Sequence, residues 1–205
     1  MRPASDSAVV ANTRDRVGEG PVWIAAEAAL YWVDVLAPAV NRLSFVDGSV
    51  QQWAMPEPIG FIVPRRSQTS FVVGLQSGFY ALRLDRRIIY RFDLDEDGSL
   101  HNKAPFIHFA DDWGLPDGMT VDAEGYLWVA HWDGGRVSRF DPDGGFVRAV
   151  FLPASRVTSC TFAGPALDRL FVTSARDCRE HEPLAGALFE LAPGVAGLPA
   201  GAFAG

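Results

Sequence analysis

Two acidic residues stand in matching places along the chain, Glu19 followed by Gly20 and Asp117 followed by Gly118, each just ahead of a short apolar run. Two carboxylates brought to one place repel each other unless a cation or a shared proton lies between them. An oxygen-rich pair of this kind suits a hard cation such as Ca²⁺. Acidic residues beside glycine are also ordinary turn formers, so residue type alone allows either reading; the equivalence of the two positions favours a site.

Other groups capable of chemistry read as structural. Asp93-Leu94-Asp95-Glu96-Asp97-Gly98 opens like an EF-hand loop, but the twelfth position, which needs a bidentate Glu, holds Ala104. The run sits between strands and reads as a hairpin turn, as does Asp141-Pro142-Asp143-Gly144. The histidines His101, His108, His131 and His181 have no ligand spacing; His131 alone follows an inner strand, beside Trp132, where packing and a channel-rim role compete. Cys160 and Cys178 lack metal-ligand or disulfide spacing and read as small hydrophobes. Neither a Gly-x-Ser-x-Gly elbow nor a Gly-rich phosphate loop occurs. The tryptophans read as core and channel lining rather than as a stacking platform for bases.

The elements that must position Glu19 and Asp117 are strands. Ala29–Val33, Ser70–Gly74, Tyr126–Ala130 and Arg169–Thr173 are short runs rich in β-branched and aromatic residues. A second strand follows each, at Val40–Phe45, Gly78–Leu82, Arg136–Phe140 and Gly186–Leu191, and no amphipathic helix is evident. The pattern repeats. Glu19-Gly20-Pro21-Val22-Trp23 before Leu30-Tyr31-Trp32 matches Asp117-Gly118-Met119-Thr120-Val121 before Leu127-Trp128-Val129, with further copies at Ser159-Cys160-Thr161-Phe162 and Ile59-Gly60-Phe61-Ile62-Val63. The copies at 19 and 59 are 40 residues apart and those at 117 and 159 are 42 apart. That spacing suits one four-stranded β-propeller blade; a sandwich, the alternative, predicts no such repeat. In a propeller the inner strand starts converge on the central channel, which would bring Glu19 and Asp117 together. The 58-residue interval from 59 to 117 breaks the rhythm. There Arg86–Asp93 reads as an outer strand without its inner pair, and Lys103–Phe109 as the next outer strand. The chain therefore reads as a single domain over 1–205, all-β, with about four blades plus a partial one and an irregular joint near Asp85 and Arg86. Ser7–Ala11 could complete the last blade as an added strand.

These residues carry a family resemblance. Val17–Trp23 with Leu30–Asp34, Gly114–Met119 with Val121–Ala130, and Arg156–Phe162 with Leu170–Arg176 resemble the motifs of the regucalcin (senescence marker protein) and gluconolactonase family. The resemblance runs from about Val17 to the C-terminus. It implies a six-bladed propeller that holds a divalent cation, Ca²⁺ or Zn²⁺, in its channel and hydrolyses sugar lactones. It also implies Glu19 as a metal ligand, and Asp117 as a metal ligand and general base. The family's Arg-x-Asn-Asp and Ser-Asn-Gly-Leu segments, the second supplying a third metal ligand, are absent here. The stretch missing at the joint is on the order of two blades; a natural deletion, a pseudogene-like remnant and an error in the gene model would each produce it. The alternative to a lactone hydrolase is a non-catalytic, truncated propeller that binds a divalent cation or a partner weakly.

Composition narrows the classes further. With 48% hydrophobic and 21% charged residues the chain carries enough apolar surface to fold. A net charge of −7 argues against nucleic-acid or acidic-membrane partners; the partner that the resemblance implies is a small-molecule sugar lactone. The first fifteen residues lack a secretory apolar region and no run approaches the ~18 residues of a membrane span; the expected location is cytoplasmic.

Overall fold

Apolar alternation broken by glycine and aspartate turns produces sixteen antiparallel strands among the residues described by the computed structural model, which are 7–55, 58–64, 71–75, 87–94 and 100–199. They are β1 (Ser7–Ala11), β2 (Gly18–Ile24), β3 (Ala29–Asp34), β4 (Ala39–Ser44), β5 (Val50–Ala54), β6 (Ile59–Pro64), β7 (Phe71–Leu75) and β8 (Ile88–Leu94). The second half adds β9 (Leu100–His108), β10 (Leu115–Val121), β11 (Leu127–Trp132), β12 (Arg136–Phe140), β13 (Phe146–Phe151), β14 (Val157–Ala163), β15 (Arg169–Ser174) and β16 (Leu188–Leu191). The only helical pieces among the described residues are 3₁₀ turns at Ala25–Glu27 and Asp111–Trp113. The second strand expected at Gly78–Leu82, the Asp85–Arg86 joint and residues 95–98 of the EF-hand-like run lie outside the described residues.

Three sheets are complete four-stranded blades: β2-β3-β4-β5, β10-β11-β12-β13, and β14-β15-β16 closed by β1. The added strand is therefore real: Ser7 pairs with Leu191, Ala8 with Glu190 and Val9 with Phe189. Among the described residues, two further sheets have two strands each, β6-β7 and β8-β9. Within a blade the middle strands are the most buried and the outermost strand the most exposed. Every residue of β3 is buried and every residue of β5 is exposed, because a middle strand is covered on each side by a neighbouring blade.

The core lies between the blades. Trp23, Leu30 and Trp32 of the first blade pack on Phe171 and Leu188 of the last. Trp128 packs on Phe162, Leu170 and Phe189, while Ile107 and Phe109 pack on Val129 and Phe140. Indole N–H groups buried in these seams need acceptors. Trp32 Nε1 donates to Asp15 Oδ2 at 2.7 Å, and Trp128 Nε1 to Asp122 Oδ2 at 2.8 Å.

Asp15 also clasps the ring. Its amide donates to Gly186 O at 3.0 Å and its carbonyl accepts from the Arg176 amide at 3.1 Å, both in the last blade. Its side chain reaches Trp32 and Asn41 in the first blade. Gly186 is needed here: its φ is +80°, and a Cβ would strike the Asp15 backbone. For the same reason β16 begins at Leu188 rather than at Gly186.

Candidate active site

Strand β14 lies between β2 and β10, packing against both, so three innermost strands run side by side. Each starts with a bulge: in β2 between Glu19 and Val22, in β10 between Pro116 and Met119, in β14 between Val157 and Ser159. Bulges bend a strand and re-aim its side chains. Each second strand carries a leucine, Leu30, Leu127 or Leu170, and three residues further lie Val33, Ala130 and Thr173. Opposite these stand Glu19, the Asp117-Gly118 bulge and Ser159. The repeat seen in the sequence is thus a repeat in register around the channel.

The loop that delivers Glu19 is held by one buried carboxylate. Asp34 accepts the amides of Arg16, Val17, Leu36 and Ala37 at 2.8 to 3.2 Å. Gly20 follows with φ +54°, and its amide donates to Glu19 Oε2 at 3.0 Å. A Cβ on Gly20 would meet nothing within 4 Å, so open space lies beside Glu19. Gly118 serves Asp117 as Gly20 serves Glu19, its amide hydrogen-bonding the carboxylate. Gly118 is required for space: a Cβ there would collide with Ser159.

Glu19 and Asp117, 98 residues apart in sequence, share one electrostatic environment. Burial raises the Glu19 carboxyl well above the carboxylate range, and the Asp117 charge raises it further against the Gly20 hydrogen bond. Burial likewise raises Asp117, opposed by the Gly118 amide. Each residue keeps partial exposure while its carboxyl is largely enclosed by protein. Among the described residues, no third His, Cys, Asp or Glu joins the pair. The donor chemistry fits a hard divalent cation: two carboxylates, crowded together, with open space beside one of them.

Neighbouring groups are structural. The Cys160 thiol is buried, 3.7 Å from Trp128 O, and pushed up to about 12 by burial and then by the Glu19 charge; it is no nucleophile at neutral pH. Thr158 Oγ1 bonds Gly18 O and Thr173 Oγ1, tying β14 to β2. His131 is fully buried against Phe109, with Nδ1 2.7 Å from Trp113 O, and burial lowers its pKa to about 4. It is a packed, neutral side chain rather than a channel-rim group. Asp141 accepts the Asp143 and Gly145 amides, which makes its run a hairpin turn. Cys160 and Cys178 are free. A cavity of about 250 Å³, lined by Asp133, Ser155 and Glu182 among others, lies away from the carboxylate pair. Ser159 was visible in the sequence as the start of a repeat copy, but a serine at a strand start carries no charge to single it out.

The SMP-30/gluconolactonase/LRE-like region family model matches residues 17–87 and 84–176. The two matches meet at the irregular joint. A 6-deoxy-6-sulfogluconolactonase from Pseudomonas putida is 28% identical over 278 aligned positions, covering 92% of this chain and 95% of that protein. Pentonolactonase XacC from Haloferax volcanii is 28% identical over 277, covering 93% and 95%. These alignments are longer than the 205-residue chain, so they span an internal gap. A regucalcin from Agrobacterium tumefaciens, described as a calcium-binding protein, superposes with a TM-score of 0.81 at 20% identity over 95% of this chain and 96% of its own.

Proposed function

The chain belongs to the SMP-30/gluconolactonase/LRE-like family, and from that premise we propose that it hydrolyses a sugar lactone at Glu19 and Asp117, the residues that would hold a divalent cation, Ca²⁺ or Zn²⁺. The observation that carries the proposal is the enclosed pair of carboxyls from two blades, each raised by burial. The names of the lactonase relatives support the reaction class. The calcium-binding description of the Agrobacterium protein supports the cation.

A bound cation would offset the charge of the pair and supply Lewis-acid polarisation of the lactone carbonyl. Glu19 holds its position through the Gly20 amide and offers an oxygen to the ion. Asp117, fixed by the Gly118 amide, accepts a proton from the water whose oxygen bonds the carbonyl carbon. The ring C–O bond then breaks and the ring oxygen takes that proton, leaving an open-chain hydroxy acid.

The chain acts, in this proposal, as one propeller domain over 1–205 with an internal deletion near 85–86. A second reading, a truncated propeller that binds a cation without catalysis, is favoured by relatives whose alignments are longer than this chain. Acid release from an aldonolactone, followed with Ca²⁺, with Zn²⁺ and with a chelator, separates the two. A cation-dependent rate lost in Asp117→Ala supports the hydrolase. Cation binding without any such rate supports the second reading.

A further inference from the structure

We propose that the Ser159 hydroxyl is the third protein oxygen on the cation of this site, an assignment that rests on the reading of Glu19 and Asp117 given above. Strand β14 lies between β2 and β10. Ser159 occupies there the register position that Glu19 occupies in β2 and the Asp117 bulge in β10. Its strand therefore stands between the two strands that carry the carboxylates. Its hydroxyl packs against Gly118, the residue whose amide holds the Asp117 carboxylate, closely enough that a Cβ on Gly118 would collide with Oγ.

Ser159 is 8% exposed. Its neighbours in the strand spend their polar atoms elsewhere: Thr158 Oγ1 on Gly18 O and Thr173 Oγ1, Cys160 Sγ against Trp128 O. Among the described residues the Ser159 hydroxyl has no hydrogen-bond partner. The sealed side-chain atoms without a partner among the described residues are His131 Nε2, Arg136 Nη2 and Ser138 Oγ; the Ser159 oxygen is not one of them, so it meets open space, as a ligand to an exchangeable ion must. A hard cation accepts neutral oxygens alongside carboxylates. Among the described residues no other His, Cys, Asp or Glu is at hand to complete the set.

The test is calorimetric titration of the full chain with Ca²⁺ and with Cd²⁺, in wild type, Ser159→Ala and Ser159→Cys, read as affinity rather than activity. Ser159→Ala is expected to weaken Ca²⁺ about tenfold, since affinity follows ligand number. Ser159→Cys, close in size, is expected to weaken Ca²⁺ and to bind Cd²⁺ more tightly than wild type, because thiolates select soft ions. A hydroxyl that only braced a carboxylate would produce no gain in Cd²⁺. Unchanged Ca²⁺ affinity in Ser159→Ala, or no Cd²⁺ gain in Ser159→Cys, overturns the serine assignment and leaves the carboxylate pair standing. Failure of the wild type to bind any divalent cation overturns the pair as well.

Discussion

At the scale of single residues, Glu19 and Asp117 are held against their own preference. Burial raises both carboxyls, and like charges share one enclosed place. Replacing one should relieve the strain: Glu19→Gln is expected to stabilise the chelator-treated chain at pH 8 by at least about 1 kcal/mol, since each pKa unit of relief is about 1.4 kcal/mol. The measurement is a thermal melt in chelator; the same variant should lose any rise in Tm on adding Ca²⁺. Asp15 supplies a pH dependence free of the site. Burial, against hydrogen bonds from Trp32 and Asn41, raises it from 3.8 to about 6. The folded state therefore holds a proton that the unfolded chain has lost, and stability falls as pH rises from about 4 to about 6. That amounts to about 3 kcal/mol. Asp15→Asn, which keeps an acceptor for Trp32 Nε1, should remove that slope in urea melts across the range. Asp122 shows the contrast: burial pushes it up too, but hydrogen bonds from Trp128, the Tyr126 amide and Arg139 outweigh this and its pKa is lowered.

At the scale of elements, the ring is joined where β1 and the Asp15 loop tie the last blade to the first. Gly186→Ala would place a methyl against the Asp15 backbone at a φ of +80°. A loss of about 2–3 kcal/mol is expected from strain and from the displaced clasp, measured by denaturant midpoint. Removing residues before Thr13 deletes β1 and exposes the β16 edge, since β16 pairs with β1 on one side and β15 on the other. Size-exclusion chromatography should then show self-association, because an unpaired edge is a template for another strand. The bulges are the other element-scale device. They set Glu19, the Asp117-Gly118 pair and Ser159 at equivalent register positions, while the residues beyond them return to ordinary pairing, as Val22 with Tyr31 and Met119 with Val129.

At the scale of the whole molecule, a cation bound only by the folded ring should raise its stability by mass action, by about 2.7 kcal/mol at a hundredfold excess over Kd; a Ca²⁺-dependent Tm read at several concentrations checks this. The strands, the blade-length period and the candidate carboxylates were legible in the sequence because each is local. Leu30-Tyr31-Trp32 and Leu127-Trp128-Val129 alternate within six residues, and Glu19-Gly20 and Asp117-Gly118 repeat the same dipeptide chemistry. The pairing of Ser7–Ala11 with β16 was only a propensity, since strand pairing across nearly the full chain leaves no local trace. The double role of Asp15, backbone in one blade and carboxylate in the next, was not visible at all: it depends on Gly186 and Trp32, far apart in sequence. Ser159 was readable as a repeat position but not as a candidate ligand. What the sequence determined alone is the blade and its acidic strand starts, because periodicity and turn chemistry act over a few residues. What only the tertiary structure decided is that β14 stands between β2 and β10, so that Ser159 shares a register position with residues of two other blades. Adjacency of blades is a property of how they pack, and no short stretch of chain encodes it.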